Sequence, residues 1–255
     1  MLHKVKLFLV LAFSYTGFVT YQTLGLATPA PTYIAQTINF IPPPPPADPP
    51  PGGRLRGGAR RDTCPAIKPE LTALVPSNQE PPSVTNVWGL ATETHPTFWF
   101  YMPYTKDVDY PTEFILQDKD LNPIYQQAIA LPNQPGIISI SLPSNAPPLA
   151  LETRYRWFLT INCNQQKQSP PIYVEGVIKR INLNQKITQQ IKTATPLQQV
   201  AIYAENGIWH EALTTLAKLR QQNLQDVTLK TQWRDLLNSI GLDDIAEEPI
   251  LGEKN

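Results

Sequence analysis

The most regular pattern of hydrophobic and polar positions runs from Thr153 to Cys163, with the sequence TRYRWFLTINC. Tyr155, Trp157 and the alternate positions that follow are apolar, whereas the positions between them are mostly polar. Successive side chains of a strand point to opposite faces, so this run predicts a half-buried β-strand with its aromatic face inward. Phe158 alone breaks the polar pattern of the other face. We expect the chain to be organised around this strand.

Short apolar runs separated by Pro, Asn and Gly extend from Cys64 to Ile181. They predict eight strands, over Leu71–Val75, Val87–Ala91, Thr97–Met102, Thr112–Gln117, Ile124–Ala130, Ile137–Leu142, Thr153–Cys163 and Ile172–Ile181. Strands at this spacing, without a helical pattern between them, are typical of an antiparallel β-sandwich of immunoglobulin-like type. Residues 64–181 are therefore predicted to form the sandwich.

The periodicity becomes helical over residues 182–242. Thr195-Pro-Leu-Gln198 is predicted to form a capping box with proline at the first helical position. The helices on either side of Asn206-Gly207 match the spacing of a single tetratricopeptide-like hairpin. Such repeats normally need about three copies to stand alone, so this hairpin is expected to pack on the sandwich. The fold class is α+β, and residues 243–255 are expected to form a loose acidic tail.

The N-terminus has the features of an export signal. Lys4 and Lys6 precede an apolar run, and small residues allow cleavage after Ala27. An uncleaved membrane anchor is the alternative, but polar residues interrupt the stretch before it reaches the roughly 20 apolar residues of a spanning helix. Residues 1–27 are predicted to be a signal peptide, and no membrane span is expected after its cleavage.

Residues 28–63 are predicted to be a linker, rich first in proline and then in glycine and arginine. The chain has 28 prolines, and those of this region favour an extended polyproline II conformation. The Gly/Arg run is either a flexible tether or an anion-binding arm; the arginines of that candidate arm are Arg54, Arg56, Arg60 and Arg61. Export excludes nucleic acid as a partner.

Composition and cysteine content limit the chemistry further. Lys plus Arg equals Asp plus Glu, at 21 each, so no global charge selects a polyanion. The two cysteines of an exported chain, Cys64 and Cys163, are predicted to form a disulfide. Two thiols and the mature chain's two histidines do not readily make a metal site, and no cofactor motif is present.

Two groups of residues are candidates for function. The run Thr97–Met102 is apolar on both faces, which predicts either a strand covered on both sides or an aromatic recognition surface. The residues of that candidate surface are Trp99, Tyr101, Tyr104 and Tyr110.

Glu93 and His95 are close enough in sequence for an acid/base pair, but no motif supplies a nucleophile or oxyanion donor. His210-Glu211 is expected to lie on a solvated helix face, and the chain is not expected to be an enzyme.

Several stretches together resemble the cyanobacterial domain-of-unknown-function family 928 (DUF928). They are Arg61-Asp-Thr-Cys64, Leu71-Thr-Ala-Leu-Val-Pro76, His95-Pro-Thr-Phe-Trp-Phe-Tyr-Met-Pro-Tyr104, Pro135-Gly-Ile-Ile-Ser139, Tyr155-Arg-Trp-Phe158 with Cys163, and Tyr203-Ala-Glu-Asn-Gly-Ile-Trp-His-Glu-Ala-Leu-Thr-Thr-Leu216. The resemblance covers roughly residues 52–242. It implies an exported cyanobacterial protein and carries over no activity.

The sequence therefore predicts a non-catalytic protein-interaction module of the periplasm or cell envelope. Its expected partner is an envelope protein. A carbohydrate-binding or envelope-structural domain is the alternative, because exposed aromatic rings stack on sugars. A hydrolase that uses Glu93 and His95 is a third hypothesis.

Overall fold

The computed structural model describes residues 38–44, 52–58, 64–79, 84–164 and 170–252. The predicted signal peptide, residues 1–27, lies outside these ranges. So do Arg60 and Arg61 of the predicted anion-binding arm. Of the helices within the described ranges, none is both long and apolar enough to cross a membrane.

Ten strands form two sheets. Their bounds are β1 Arg56–Gly57, β2 Leu71–Ala73, β3 Ser77–Gln79, β4 Thr85–Ala91, β5 Thr97–Met102, β6 Thr112–Gln117, β7 Pro123–Ala128, β8 Gly136–Ser141, β9 Arg154–Ile161 and β10 Ile172–Arg180. All eight predicted strands are present within a few residues of their predicted ends. The two short strands β1 and β3 were not predicted, because neither has an apolar alternation and each forms by pairing with a neighbour.

The sheets pack as a sandwich, which confirms the predicted α+β class. One sheet has the order β1-β2-β5-β8 and the other the order β3-β4-β10-β9-β6-β7. Within the described strands, every neighbouring pair is antiparallel except β4 and β10, which run parallel. No hairpin links these two strands, so nothing in their connection requires an antiparallel pairing. The immunoglobulin-like assignment stays a prediction.

Strand β9 lies inside the six-stranded sheet, between β10 and β6. Its residues alternate between half-buried and buried, and Trp157 is fully buried in a core that also contains Phe98, Phe100 and Phe114. Cys163, just after the strand, forms a disulfide with Cys64, and the two Cα atoms lie 5.3 Å apart. The predicted organising strand and the predicted disulfide are both present.

Four helices follow the sandwich: α1 Gln185–Thr193, α2 Pro196–Glu205, α3 Trp209–Gln222 and α4 Val227–Asn238. The capping box at Thr195 and Gln198 is formed as predicted, and Gly207 between α2 and α3 has a positive φ of 70°. The likeness to a tetratricopeptide hairpin stays a prediction.

A second hydrophobic core joins α2, α3 and α4 to the four-stranded sheet. Trp209, Leu213 and Trp233 pack there with Trp99 and Ile137, among other residues. The Trp209 indole N–H donates a hydrogen bond to the Leu74 carbonyl at 2.7 Å. The helices therefore pack on the sandwich, as expected for a hairpin without partner repeats.

The prediction of a loose tail from residue 243 is wrong for the residues that the structure describes. Ile245 and Ala246 are buried in the second core, and Asp244 forms a salt bridge with Arg56 at 2.7 Å. Ile250 forms a parallel bridge with Ile137 on the outer edge of β8. Ile245, Ala246 and Ile250 lie among acidic residues, so the sequence did not predict their contacts with the helices and β8.

The prediction that residues 28–63 form only a linker is also wrong in its described parts. Ile38 and Phe40 are buried in the second core. Farther on, Arg56–Gly57 is strand β1 and pairs with β2. Isolated apolar residues within a proline-rich run give no periodic signal, so their burial follows only from tertiary contacts.

The disulfide closes a long loop, with a sequence separation of 99 residues. Replacing both cysteines, Cys64→Ser with Cys163→Ser, should lower the free energy of unfolding by up to about 4 kcal/mol, because the unfolded chain gains the freedom that the loop closure removes. Urea denaturation monitored by tryptophan fluorescence measures the change, with the reduced wild-type chain as control. Equal denaturation midpoints for the oxidised wild type and the double variant would contradict this role.

Candidate functional site

The predicted aromatic recognition surface is wrong, because its residues are buried or half-buried. Trp99 and Tyr101 are each only 3% exposed and face the second core. The Trp99 indole N–H donates to the Thr214 hydroxyl at 2.9 Å. Burial, helped by the charge of Glu248, raises the pKa of Tyr101 to about 12. The first of the two interpretations, a strand covered on both sides, is the correct one.

Tyr104 and Tyr110 do not extend a patch either. Tyr104 is buried in the sandwich core, its hydroxyl donates to the Pro65 carbonyl at 3.1 Å, and burial raises its pKa. The Tyr110 ring packs edge-on against the Tyr104 ring, with centroids 5.5 Å apart. Both rings therefore hold loops to the sandwich.

The two arginines of the predicted anion-binding arm that the structure describes are engaged within the fold. Both terminal nitrogens of Arg56 donate to the Asp244 carboxylate, at 2.7 and 2.8 Å, and this pairing raises the pKa of Arg56 and lowers that of Asp244. Arg54 pairs with Glu175 through its backbone, and its guanidinium lies over the Tyr173 ring. Arg56 is therefore a structural residue, whereas the Arg54 side chain lies on a sheet face.

The ring of His95 is held by two structural hydrogen bonds. Its Nε2 lies 3.0 Å from the Ala146 carbonyl, which can only accept, so in the neutral ring Nε2 carries the proton. Nδ1 then accepts from the Thr94 hydroxyl, also at 3.0 Å. A cleft of about 280 Å³ adjoins this ring and is lined by Glu93, Tyr203 and Lys218 among others. With both ring nitrogens engaged, His95 is poorly placed to act as a base.

His210 and Glu211 are buried, which corrects the prediction of a solvated face. His210 Nδ1 donates to the Thr97 carbonyl at 3.3 Å, the ring packs against Phe98, and burial lowers its pKa to about 4. The Glu211 carboxyl accepts from the backbone N–H groups of Thr92 and Glu93, at 2.6 and 2.9 Å, and burial raises its pKa. Glu211 therefore joins α3 to the loop after β4, and His210 joins α3 to β5.

The outward face of the six-stranded sheet carries a group of half-exposed aromatic residues. Cross-strand pairing places Phe158 opposite Glu175 and Val177 opposite Trp88, so these side chains share one face with Tyr173. The aromatic residues Trp88, Phe158 and Tyr173 are all half-buried and belong to neither hydrophobic core.

Two arginines cover rings of this group. The Arg156 guanidinium lies 5.0 Å from the centroid of Phe158, and that of Arg54 lies 4.7 Å from the centroid of Tyr173. Arg156 also donates to the Glu175 carboxylate at 2.9 Å. We call Trp88, Phe158, Tyr173, Arg54 and Arg156 the aromatic–arginine face. This face was not predicted from the sequence, and the residue that indicates it is Phe158, which interrupts the polar positions of β9.

Of the helices that the structure describes, none contacts β6, β9 or β10. Helix α3 does contact β4, the strand of Trp88, so it is the part of the face on β9 and β10 that no described helix covers. Other outward positions carry Arg154, Lys179 and Glu113, and Lys179 is paired with Glu152 at 2.6 Å. The basic groups of the face outnumber its acidic ones.

A cavity of about 750 Å³ opens between the edges of β7 and β8. Its lining is uncharged and includes Gln127, Asn133 and Ile138. Within the described ranges, no cluster of three or more His, Cys, Asp or Glu side chains is arranged to hold a metal ion.

Comparison with known proteins identifies the family. The model of the family described as Domain of Unknown Function (DUF928) matches residues 56–250, most of the chain. The chain therefore belongs to that family. No curated protein and no solved structure matches it significantly.

The burial of Trp99 predicts a stability effect. Trp99→Ala should lower the free energy of unfolding by about 3–5 kcal/mol, because it opens a cavity between β5 and the helices and leaves Thr214 without its donor. Leu224→Ala is the control, since Leu224 is 81% exposed and its loss should change stability by less than about 0.5 kcal/mol. Chemical denaturation measures the free energy of unfolding of both variants and of wild type. A Trp99→Ala chain as stable as wild type would contradict the burial of Trp99.

His210 predicts a dependence of stability on pH. The folded state keeps the ring neutral down to about pH 4, whereas the unfolded chain binds the proton from about pH 6.5. The contribution of His210 to the free energy of unfolding is therefore constant above pH 6.5. It falls as the pH drops toward 4, by about 3 kcal/mol in total. The control variant His210→Asn keeps an N–H donor near the position of Nδ1 but does not titrate. Glu211 is present in both chains, so its titration does not distinguish them.

We expect wild type to lose about 3 kcal/mol more than His210→Asn between pH 7 and pH 4. Urea midpoints at half-unit steps of pH measure the difference. Parallel curves for the two chains would show that His210 does not contribute.

Proposed function

We propose that this DUF928 protein is an exported, non-catalytic binding module of the cell envelope that docks a partner protein on the aromatic–arginine face. The observation that carries the proposal is the group of Trp88, Phe158 and Tyr173, with guanidinium groups over two of the rings and with no described helix in contact with β9 or β10. Trp, Tyr and Arg are the residues most enriched among the energetic centres of protein interfaces. Export is supported by the disulfide, since such bonds persist in oxidising compartments.

The chemistry of the face favours a partner surface with carboxylates around an apolar centre. The guanidinium groups of Arg54 and Arg156 each lie over a ring, and a guanidinium carries five N–H donors that match a carboxylate. Glu175 is positioned between them and already takes one hydrogen bond from Arg156. A partner carboxylate would accept hydrogen bonds from the remaining guanidinium N–H groups. Binding should therefore weaken as the salt concentration increases.

Protein is favoured over glycan because two of the three rings of the face are covered by guanidinium groups and are not free for sugar stacking. Arg54 and Arg156 cover Tyr173 and Phe158, and Trp99, Tyr101 and Tyr104 are buried. Catalysis by Glu93 and His95 is disfavoured because both ring nitrogens of His95 are engaged.

The test places a photo-crosslinking amino acid at Phe158, and in a control chain at Leu224, which is 81% exposed in the connection between α3 and α4. In native cells, one envelope protein should crosslink from position 158 and not from position 224. With that protein purified, the double variant Phe158→Ser with Arg156→Ala should bind it at least ~30-fold more weakly, the effect of losing a residue at the energetic centre of an interface. Leu224→Ser should bind as wild type does.

A crosslink from both positions, or unchanged binding by a double variant that melts like wild type, would contradict docking on this face. Retention on envelope polysaccharide that soluble sugar competes, without any crosslinked protein, would transfer the assignment to glycan binding. The thermal melting temperature of each variant shows whether lost binding reflects lost folding.

A further inference from the structure

The cleft beside His95 contains an unpaired oxygen atom of a buried carboxyl group. Glu211 of α3 is among the residues that line this cleft, and its side chain belongs to a residue only 6% exposed. Its Oε1 accepts both backbone hydrogen bonds, from Thr92 and from Glu93, which leaves Oε2 as the oxygen that faces the cleft. Oε2 is buried and has no hydrogen-bond partner among the described residues. Buried polar atoms are nearly always paired, so this oxygen indicates a site that a ligand completes.

Two further oxygen-bearing side chains, those of Glu93 and Tyr203, line the same cleft. Burial raises the pKa of Tyr203, and the charges of Glu211 and Glu93 raise it further, so the hydroxyl lies close to both carboxyl groups. The Glu93 side chain is exposed and takes part in none of the ion pairs between described side chains. Three oxygen-bearing groups, two of them acidic, therefore converge at this end of the cleft.

Lys218 places a positive charge farther along the cleft. It follows Glu211 by seven residues on α3, which is two turns and about 10 Å along the helix axis, on the same side. Lys218 is exposed and, like Glu93, is absent from the ion pairs between described side chains. The cleft therefore has carboxyl groups at one end and an ammonium group at the other.

We propose that this cleft, which we call the α3 cleft, binds a small zwitterion with a primary ammonium group at one end and a carboxylate at the other. The ligand's ammonium group has three N–H donors, which match Glu211 Oε2, the Glu93 carboxylate and the Tyr203 hydroxyl oxygen. The ligand's carboxylate pairs with Lys218. The α3 cleft shares no residue with the aromatic–arginine face, so the inference does not depend on the proposed function.

An ammonium group suits the end at Glu211 better than an anion or a metal ion does. An anion would meet two carboxyl groups there. Burial raises the pKa of Glu211, whereas its two backbone hydrogen bonds stabilise the charged form, and a neighbouring ammonium group would stabilise that form further. A metal ion would lack ligands, because no cluster of three or more His, Cys, Asp or Glu side chains is present within the described ranges.

The volume of the cleft sets the size of the ligand. At about 280 Å³ it is slightly smaller than the roughly 300–1,000 Å³ of sites for drug-sized molecules, so a ligand of a few carbon atoms fits. Three probes with the same four-carbon chain separate the two charges: 4-aminobutyrate carries both, butylamine only the ammonium group and butyrate only the carboxylate.

Isothermal titration calorimetry of the mature chain with these three probes tests the proposal. We expect 4-aminobutyrate to bind, butylamine to bind about 2–5-fold more weakly because an exposed ion pair is lost, and butyrate not to bind detectably. In ¹H–¹⁵N spectra, 4-aminobutyrate should shift the Thr92 and Glu93 amide signals, since both amides donate to Glu211.

Two variants assign the ends of the ligand. Glu211→Gln keeps an oxygen for the two backbone N–H groups but removes the charge, and it should weaken 4-aminobutyrate binding at least ~10-fold, the effect of losing a charge-assisted hydrogen bond in a buried site. Lys218→Met should weaken 4-aminobutyrate binding about 2–5-fold and should not weaken that of butylamine. Glu205→Gln is the matched control, because Glu205 is exposed on α2 and does not line the cleft.

Thermal melting establishes that each variant folds, and Glu93→Gln, at an exposed side chain, replaces Glu211→Gln if the latter does not fold. The proposal would be overturned if wild type did not bind 4-aminobutyrate in the millimolar range, or if folded Glu211→Gln bound it as wild type does. Binding of butyrate as tight as that of 4-aminobutyrate would exclude the ammonium group as the recognised feature. Equal binding of butylamine and 4-aminobutyrate would overturn the role of Lys218.

Discussion

Strand β5 contributes buried side chains to both hydrophobic cores. Phe98, Phe100 and Met102 point into the sandwich, while Trp99 and Tyr101 point into the core shared with the helices. Of the other described strands, β9 contributes buried side chains on one face only, and β8 contributes one buried residue to each core, Ile140 and Ile137. The position of the helices, and hence the choice of which sheet is covered, depends on the two aromatic side chains that β5 turns outward.

This arrangement explains why the candidate interface lies on the opposite sheet. The helices bury the outward side of the four-stranded sheet, and the six-stranded sheet retains a face with half-buried aromatic residues. Arg54 and Arg156 protect part of that apolar area by lying over Tyr173 and Phe158.

Patterns that repeat locally were predictable from the sequence, and contacts between distant residues were not. The alternation of β9 and the capping box at Thr195 depend on a few neighbouring residues, so both could be read directly. Burial of Trp99 was one of two interpretations, because a strand apolar on both faces does not reveal what covers it. The engagement of Arg56 could not be foreseen, since its partner Asp244 is 188 residues away.

Ile38 and Phe40 are buried against the helices, whereas the chain from Arg54 onward is paired with β10 and β2. A pulling force applied to the chain before Ile38 would therefore be borne first by two buried side chains and two hydrogen bonds, from Ile38 to Gln232 and from Ile41 to Ala204. Contacts so few break at a lower load than the continuous ladders of the sheets. Residues 38–44 would therefore detach from the helices before the sandwich and its disulfide carry the load.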